Sequence, residues 1–321
     1  MRHSILLLLM LMVFGAAFES GCEGQNSSAS PFSNPVSTAT PDHPFLSQWG
    51  GTGTGLANLN HPTGIAVNAA GTTVYVADQN DDAVKAFSPD GAPLTQWTAT
   101  LPGALSLDAS GDVIVSLADG SGTVQEFSST GTLLTQGGGS GSASGDFNGS
   151  METAEAGITV YAADSGNNRV QAVTFTGSSG DYAVAQFTGV GSGLTAFDQP
   201  SGVALNPTQT LLYIVDTGNS LIQSYSLNGV FQKKWGGAGP GQGQLGQPRG
   251  ISVDASGDIY VADTGNNRVE IFDSEGNYLS YTGSAGSGTG GLSGPQAVAV
   301  DGSGNIYVAD TENNLIQKFG P

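Results

Sequence analysis

One cysteine, three histidines and eight basic residues among 321 positions are the scarcities that bound this chain. Cys22, being alone, has no partner for an intrachain disulfide. Only His61 lies beyond residue 44, so a zinc site built from several histidines is excluded. The same shortage leaves no Ser-His-Asp set with any mark of a nucleophile beside it. Eight Lys and Arg against 27 Asp and Glu give a formal charge of -19. Such a surface repels nucleic-acid phosphates and anionic lipid headgroups, which excludes nucleic acid as a partner. Long apolar runs are scarce too, since Ile5–Phe14 spans ten residues and is too short to cross a bilayer as a helix.

Glycine, by contrast, is abundant, with 50 residues that follow no three-residue period. They mark frequent turns in a chain with enough apolar residues for a core.

Residues 1–21 read as an export signal, with Arg2 before the apolar run and small residues after it. Gly21-Cys22 resembles a bacterial lipobox, in which the cysteine is lipidated and becomes the new N-terminus, although Glu19 stands where an aliphatic residue is usual. Lipidation at Cys22 places the protein in the cell envelope on a lipid anchor, its one contact with the membrane. The alternative, cleavage after Ala17, leaves a free thiol and a secreted, soluble protein. Residues 22–44 are rich in Ser, Pro, Thr and Asn without hydrophobic period, as expected of a flexible tether. The folded domain is 45–321.

That domain repeats one phrase. VYVADQNDDAVKAF begins at Val74, VYAADSGNNRVQAV at Val160, LYIVDTGNSLIQSY at Leu212, IYVADTGNNRVEIF at Ile259 and IYVADTENNLIQKF at Ile306, with a weaker copy from Val113. The period is 41 to 52 residues, measured from Asp78 through Asp119, Asp164, Asp216, Asp263 and Asp310. Short apolar strands separated by Gly, Asn, Asp and Ser turns give a four-stranded antiparallel meander per repeat. Six such sheets around an axis make an all-β, six-bladed β-propeller. The sixth repeat ends at Phe319, before its fourth strand, and FLSQW at Phe45–Trp49 supplies the missing strand and closes the ring.

With HPTGIAV, QPSGVAL, QPRGISV and GPQAVAV preceding its strong copies, the phrase (V/I)YVAD(T/S)GNN resembles the NHL repeat. The resemblance implies six blades and covers 45–321. The third repeat departs from it, with Gly149-Ser150-Met151 in place of the Pro-x-Gly start. Amidating lyases of the NHL type hold zinc with histidines that this chain lacks. Calcium lactonases on six-bladed propellers use inward acids, and Glu152 and Glu155 in the irregular third blade are the candidates for such a metal site.

The repeated residues Asp78, Asp164, Asp216, Asp263 and Asp310 are expected to be structural turn caps, bonded to the Gly-Asn turn that follows each. A residue spread around the whole ring cannot converge on one ion. Asp78–Asp82 fails as a calcium loop, because its twelfth place is Pro89. Arg169 and Arg268 occupy one repeat position and are expected to pack between blades. The place after each inner-strand proline varies instead: Thr63, Gly103, Ser201, Arg249 and Gln296. With His61 these form the candidate binding face, flanked by long glycine-rich loops that composition marks as mobile and adaptable. The function expected is a non-catalytic binding or scaffolding module, a monomer without cofactor, whose partner is an envelope protein or glycan. The alternative is a calcium-dependent, lactonase-like hydrolase.

Overall fold

A computed structural model describes residues 43–149, 152–157, 159–175, 182–187 and 196–321. The proposed signal, the lipidation site Cys22 and the tether as far as residue 42 lie outside the described residues, as do Ser150 and Met151. Six four-stranded antiparallel sheets form the blades. Blade 1 begins at Pro62–Val67, blade 2 at Pro102–Leu107, blade 3 at Thr153–Ala156, blade 4 at Pro200–Leu205, blade 5 at Ile251–Val253 and blade 6 at Pro295–Val300. These six are the inner strands around the channel. The second strands, such as Val74–Asp78 and Ile306–Asp310, are buried throughout because a sheet covers each of their faces.

Closure uses the N-terminal strand. Phe45–Gly50 pairs antiparallel with Leu315–Phe319, placing Phe45 opposite Phe319 and Trp49 opposite Ile316. The fold reaches two residues further back than the proposed boundary. His43 Nδ1 bonds Gly320 O at 3.0 Å, and Pro44 O accepts the N–H of Gly320 at 2.8 Å. Blade 2 is a regular four-stranded sheet despite its weak repeat.

Neighbouring blades are joined by aromatic wedges on the outer strands. Trp49, Trp97 and Trp235 each lie over a turn glycine of the next blade, so that a Cβ on Gly91, Gly131 or Gly276 would stand 2.5 to 2.6 Å from indole carbons. Phe187 covers Gly229 in the same way. Glycine is required at these turns both for its positive φ and for its missing side chain.

The repeated polar phrase fastens the ring, and its aspartates bond more than the turn that follows each. None of the short 3-10 turns after these residues has a side-chain cap. Each carboxylate reaches the loop that leads into its own blade's inner strand, and in blades 3 to 6 it also accepts from the side-chain amide of Asn167, Asn219, Asn266 or Asn313 in the following turn. The N–H groups of Asn60, Asn148, Asp198, Gly246 and Ser293 donate to Asp78, Asp164, Asp216, Asp263 and Asp310 at 2.5 to 2.8 Å. The reason is burial, since all five aspartates are fully enclosed and must be satisfied by the nearest unpaired donors.

The next residue works between blades. Ser165, Thr217, Thr264 and Thr311 each donate a hydroxyl to the carbonyl of Pro200, Pro248, Pro295 and Pro62, the first residue of the following blade's inner segment, at 2.7 to 2.8 Å. The last Asn of the phrase is left-handed, and its side chain accepts the N–H just before the next proline, as Asn314 does from His61 and Asn267 from Gly294. Arg169 and Arg268 do not pack as bare stems. Each bonds its aspartate and three loop carbonyls, Arg169 those of Ser142, Ala143 and Asp146, Arg268 those of Pro240, Gly241 and Gln244. The glycine-rich loops expected to be adaptable are therefore pinned from within.

Candidate functional site at the channel mouth

The inner strands begin on the face that also carries the 3-10 turns. There they enclose a cavity of about 230 Å³ lined by Thr63, Gly103, Ser201, Arg249 and Gln296. All five positions singled out for varying after the proline thus meet at one site. His61 does not line it. Left-handed at φ 63°, with its N–H held by Asn314 Oδ1 at 2.7 Å, it stands one residue outside the wall.

The sequence marks Glu152 as a candidate but sets the third blade out of register by one, with Met151 in the place that Glu152 takes. Ala163 donates its N–H to Glu152 O, as Ala262 does to Gly250 O, so Glu152 occupies the place of the glycine in Pro-x-Gly. Around the ring that place reads Gly64, Ala104, Glu152, Gly202, Gly250 and Ala297. The inner strands crowd here: a Cβ on Gly64 would stand 2.8 Å from Gly103 O, and one on Gly250 2.7 Å from Gln296 O. Five blades keep the position small, and the third spends it on a carboxyl. Counting the aligned pairs Val215–Gly202 and Ala162–Thr153 would have revealed this.

Glu152 crosses toward blades 4 and 5. Its Oε2 lies 2.5 Å from where a Cβ on Gly202 would be, so that glycine makes room for it. Oε2 has no hydrogen-bond partner among the described residues. Burial drives this carboxyl well above the usual range, and the N–H groups of Val203 and Ile251 offset only part of that penalty. Glu152 alone lines both the upper cavity and a second, lower one walled by the inner strands.

The mouth carries one cation. Arg249 is exposed, and its guanidinium has no ion-pair or hydrogen-bond partner among the described residues. Lys85, Arg169, Arg268 and Lys318 are all engaged with acids. Ser201 Oγ donates to Arg249 O at 3.0 Å and bonds Thr217 Oγ1 at 2.7 Å, fixing the backbone from which Arg249 projects. Gln79 and Ala118 also line the cavity, at the place where later blades have the fastening hydroxyl.

The two candidate metal ligands both line the lower cavity. Glu152 faces Val203 and Ile251, while Glu155 faces Asp108 and Glu126 of blade 2.

The NHL repeat model matches residues 245–272 and 292–319, the cores of blades 5 and 6. The chain carries NHL repeats. No curated protein sequence matches the chain. Among solved structures, a structural genomics protein of unknown function from Bacteroides thetaiotaomicron superposes on this NHL propeller with a TM-score of 0.65 at 19% identity, over 88% of this chain and 72% of that one. Virginiamycin B lyase from Staphylococcus aureus gives 0.57 at 14%, over 86% and 98%. A gluconolactonase from Xanthomonas campestris gives 0.57 at 16%, over 82% and 86%. At these identities the likeness is one of fold.

Proposed function

We propose that this NHL propeller is a non-catalytic binding module that receives an anionic, oxygen-rich group of an envelope protein or glycan at the channel mouth. The observation that carries the reading is the unpaired guanidinium of Arg249 at the rim of a polar cavity, in a chain with a net charge of -19. An exposed cation in so acidic a molecule concentrates anions only where the local field is its own. Thr63, Ser201 and Gln296 add hydroxyl and amide groups around it, and Arg supplies a planar fork suited to carboxylate or phosphate. In this reading the chain is exported, monomeric and held at the envelope through lipidated Cys22, with residues 23–42 as tether.

The test is an array of acidic and neutral oligosaccharides and peptides probed with the full chain. Acidic members are retained, and Arg249→Glu weakens their binding at least tenfold, whereas Thr208→Glu on the opposite face leaves it unchanged. Equal binding by wild type and by the double variant Arg249→Glu, Gln296→Ala would overturn the assignment.

A further inference from the structure

The joint between blades 2 and 3 breaks the repeat at Gly137 and Glu155, and a third side chain, Glu126, borders the same space. Gly137 pairs with Val124 at the place where Trp49, Trp97 and Trp235 pair with Ile316, Val84 and Ile222. A Cβ on Gly137 would meet nothing within 4 Å, so the volume that an indole fills at three of the other joints is open. The result is a cavity of about 90 Å³ between the blades, walled by Ile114, Val124, Phe147, Val160, Ala162 and Val173.

Two carboxyls enter it from opposite walls. Glu126 of blade 2 takes a place that varies around the ring, with Ala86, Ala172, Ser224, Ile271 and Lys318 in the other blades. Glu155 of blade 3 stands where the other five blades have Val67, Leu107, Leu205, Val253 and Val300. Asp108 and Asp112 lie beside them, with one oxygen each of Asp108, Asp112 and Glu126 within 4.8 Å of one another. Burial, then repulsion by Asp108 and Glu126, pushes Glu155 up to about 7, and burial with Asp108 and Asp112 raises Glu126. No Lys or Arg pairs with any of the four among the described residues.

We infer that this joint is a binding site for a small organic cation with an apolar body, an alkylammonium or arylammonium ion. Its hydrocarbon part would take the place of the missing indole and its ammonium group would lie between Glu126 and Glu155. A bare metal ion answers the charge and leaves the apolar volume open, while a neutral hydrocarbon does the reverse. Only an amphiphilic cation does both. The site is separate from the channel mouth, and neither reading depends on the other.

The experiment titrates n-butylammonium into the full chain at pH 8, following thermal unfolding and heat of binding, with n-butanol and calcium in parallel. Butylammonium raises Tm with concentration, and n-butanol and calcium at equal concentration do not. Glu155→Gln, which keeps size and removes charge, weakens butylammonium binding at least tenfold. Gly137→Trp abolishes it by filling the cavity, and if that variant does not fold, Glu155→Gln alone carries the test. The inference fails if butylammonium leaves Tm unchanged, if calcium stabilises as much as butylammonium does, or if either variant binds the amine as wild type does.

Discussion

Blades 4 to 6 and blades 1 to 3 are built on one repeat and have diverged unequally. In the first arc the phrase is complete: Thr217, Thr264 and Thr311 each hold the next blade's proline carbonyl, and Trp235 wedges blade 4 against blade 5. In the second arc Gln79 and Ala118 replace the hydroxyl, Leu117 replaces the clamping aspartate and Gly137 replaces the wedge. Asp119 of blade 2 is exposed and bonds only its own turn at Ser121. What the second arc loses in fastening it gains in space. The cavity between blades lies wholly within it. A ring closed by its regular half can leave the other half open.

The contrast can be broken most severely at the ring's closure. Removing residues 43–50 strips blade 6 of its outer strand and takes Trp49 from between Phe87 and Tyr307. Loss of one buried Trp alone costs about 3–5 kcal/mol, and in a domain of this size each kcal/mol moves Tm by roughly 2–4 °C. Thermal unfolding of the truncated chain is expected at least about 10 °C lower. An unchanged Tm would show that the regular arc holds the ring without this strand.

The wedges themselves give the next largest effect. Trp97→Ala empties the joint between blades 1 and 2, where the indole meets Tyr75 and Phe127, and should cost about 3–5 kcal/mol. Gly137→Ala, at the same place one blade later, has open space for its methyl group. It should be neutral or stabilise by up to about 1 kcal/mol through the unfolded chain. Denaturant midpoints measured side by side decide this, and a Gly137→Ala loss as large as that of Trp97→Ala would mean that the joint is already full.

Much of this was legible in the sequence. The six copies of the phrase, their spacing and the displaced strand Phe45–Trp49 gave blade number, strand order and closure, because a repeat that cannot bury itself must stack on its neighbours. The residues after each proline stood out as a binding face because they vary where the rest of the phrase is constant. What escaped notice was partnership across blades. A Thr or Asn in a turn phrase reads as local chemistry, and nothing in the chain order says that Thr311 bonds Pro62. Glu152 was found as an oddity, but only strand pairing places it in the glycine ring. Gly137 was one glycine among 50 until its register against Val124 set it beside the tryptophans.

The smallest expected effect separates the two arcs by pH. Glu155 in the irregular arc and Glu270 in the regular one are both pushed up to about 7, chiefly by burial. Asp108 and Glu126 face Glu155 and no cation does, whereas Arg268 pairs with Glu270 at 2.5 Å. A carboxyl whose folded pKa exceeds its unfolded value of about 4.3 binds its proton more tightly when folded. Its stabilising contribution is present at low pH and is lost as pH rises from there to about 7. The wild-type chain should therefore unfold at a higher temperature at pH 5 than at pH 8. Glu155→Gln removes a charge that nothing balances, so it should raise Tm at pH 8 and narrow the gap by about 1–2 °C. Glu270→Gln removes the partner of a largely buried guanidinium and should lower Tm at both values. Melting curves at pH 5 and pH 8 for the three proteins suffice. Equal shifts from both variants would mean that the acids of the open joint are as well compensated as those of the closed arc, and the contrast between the halves would then rest on packing alone.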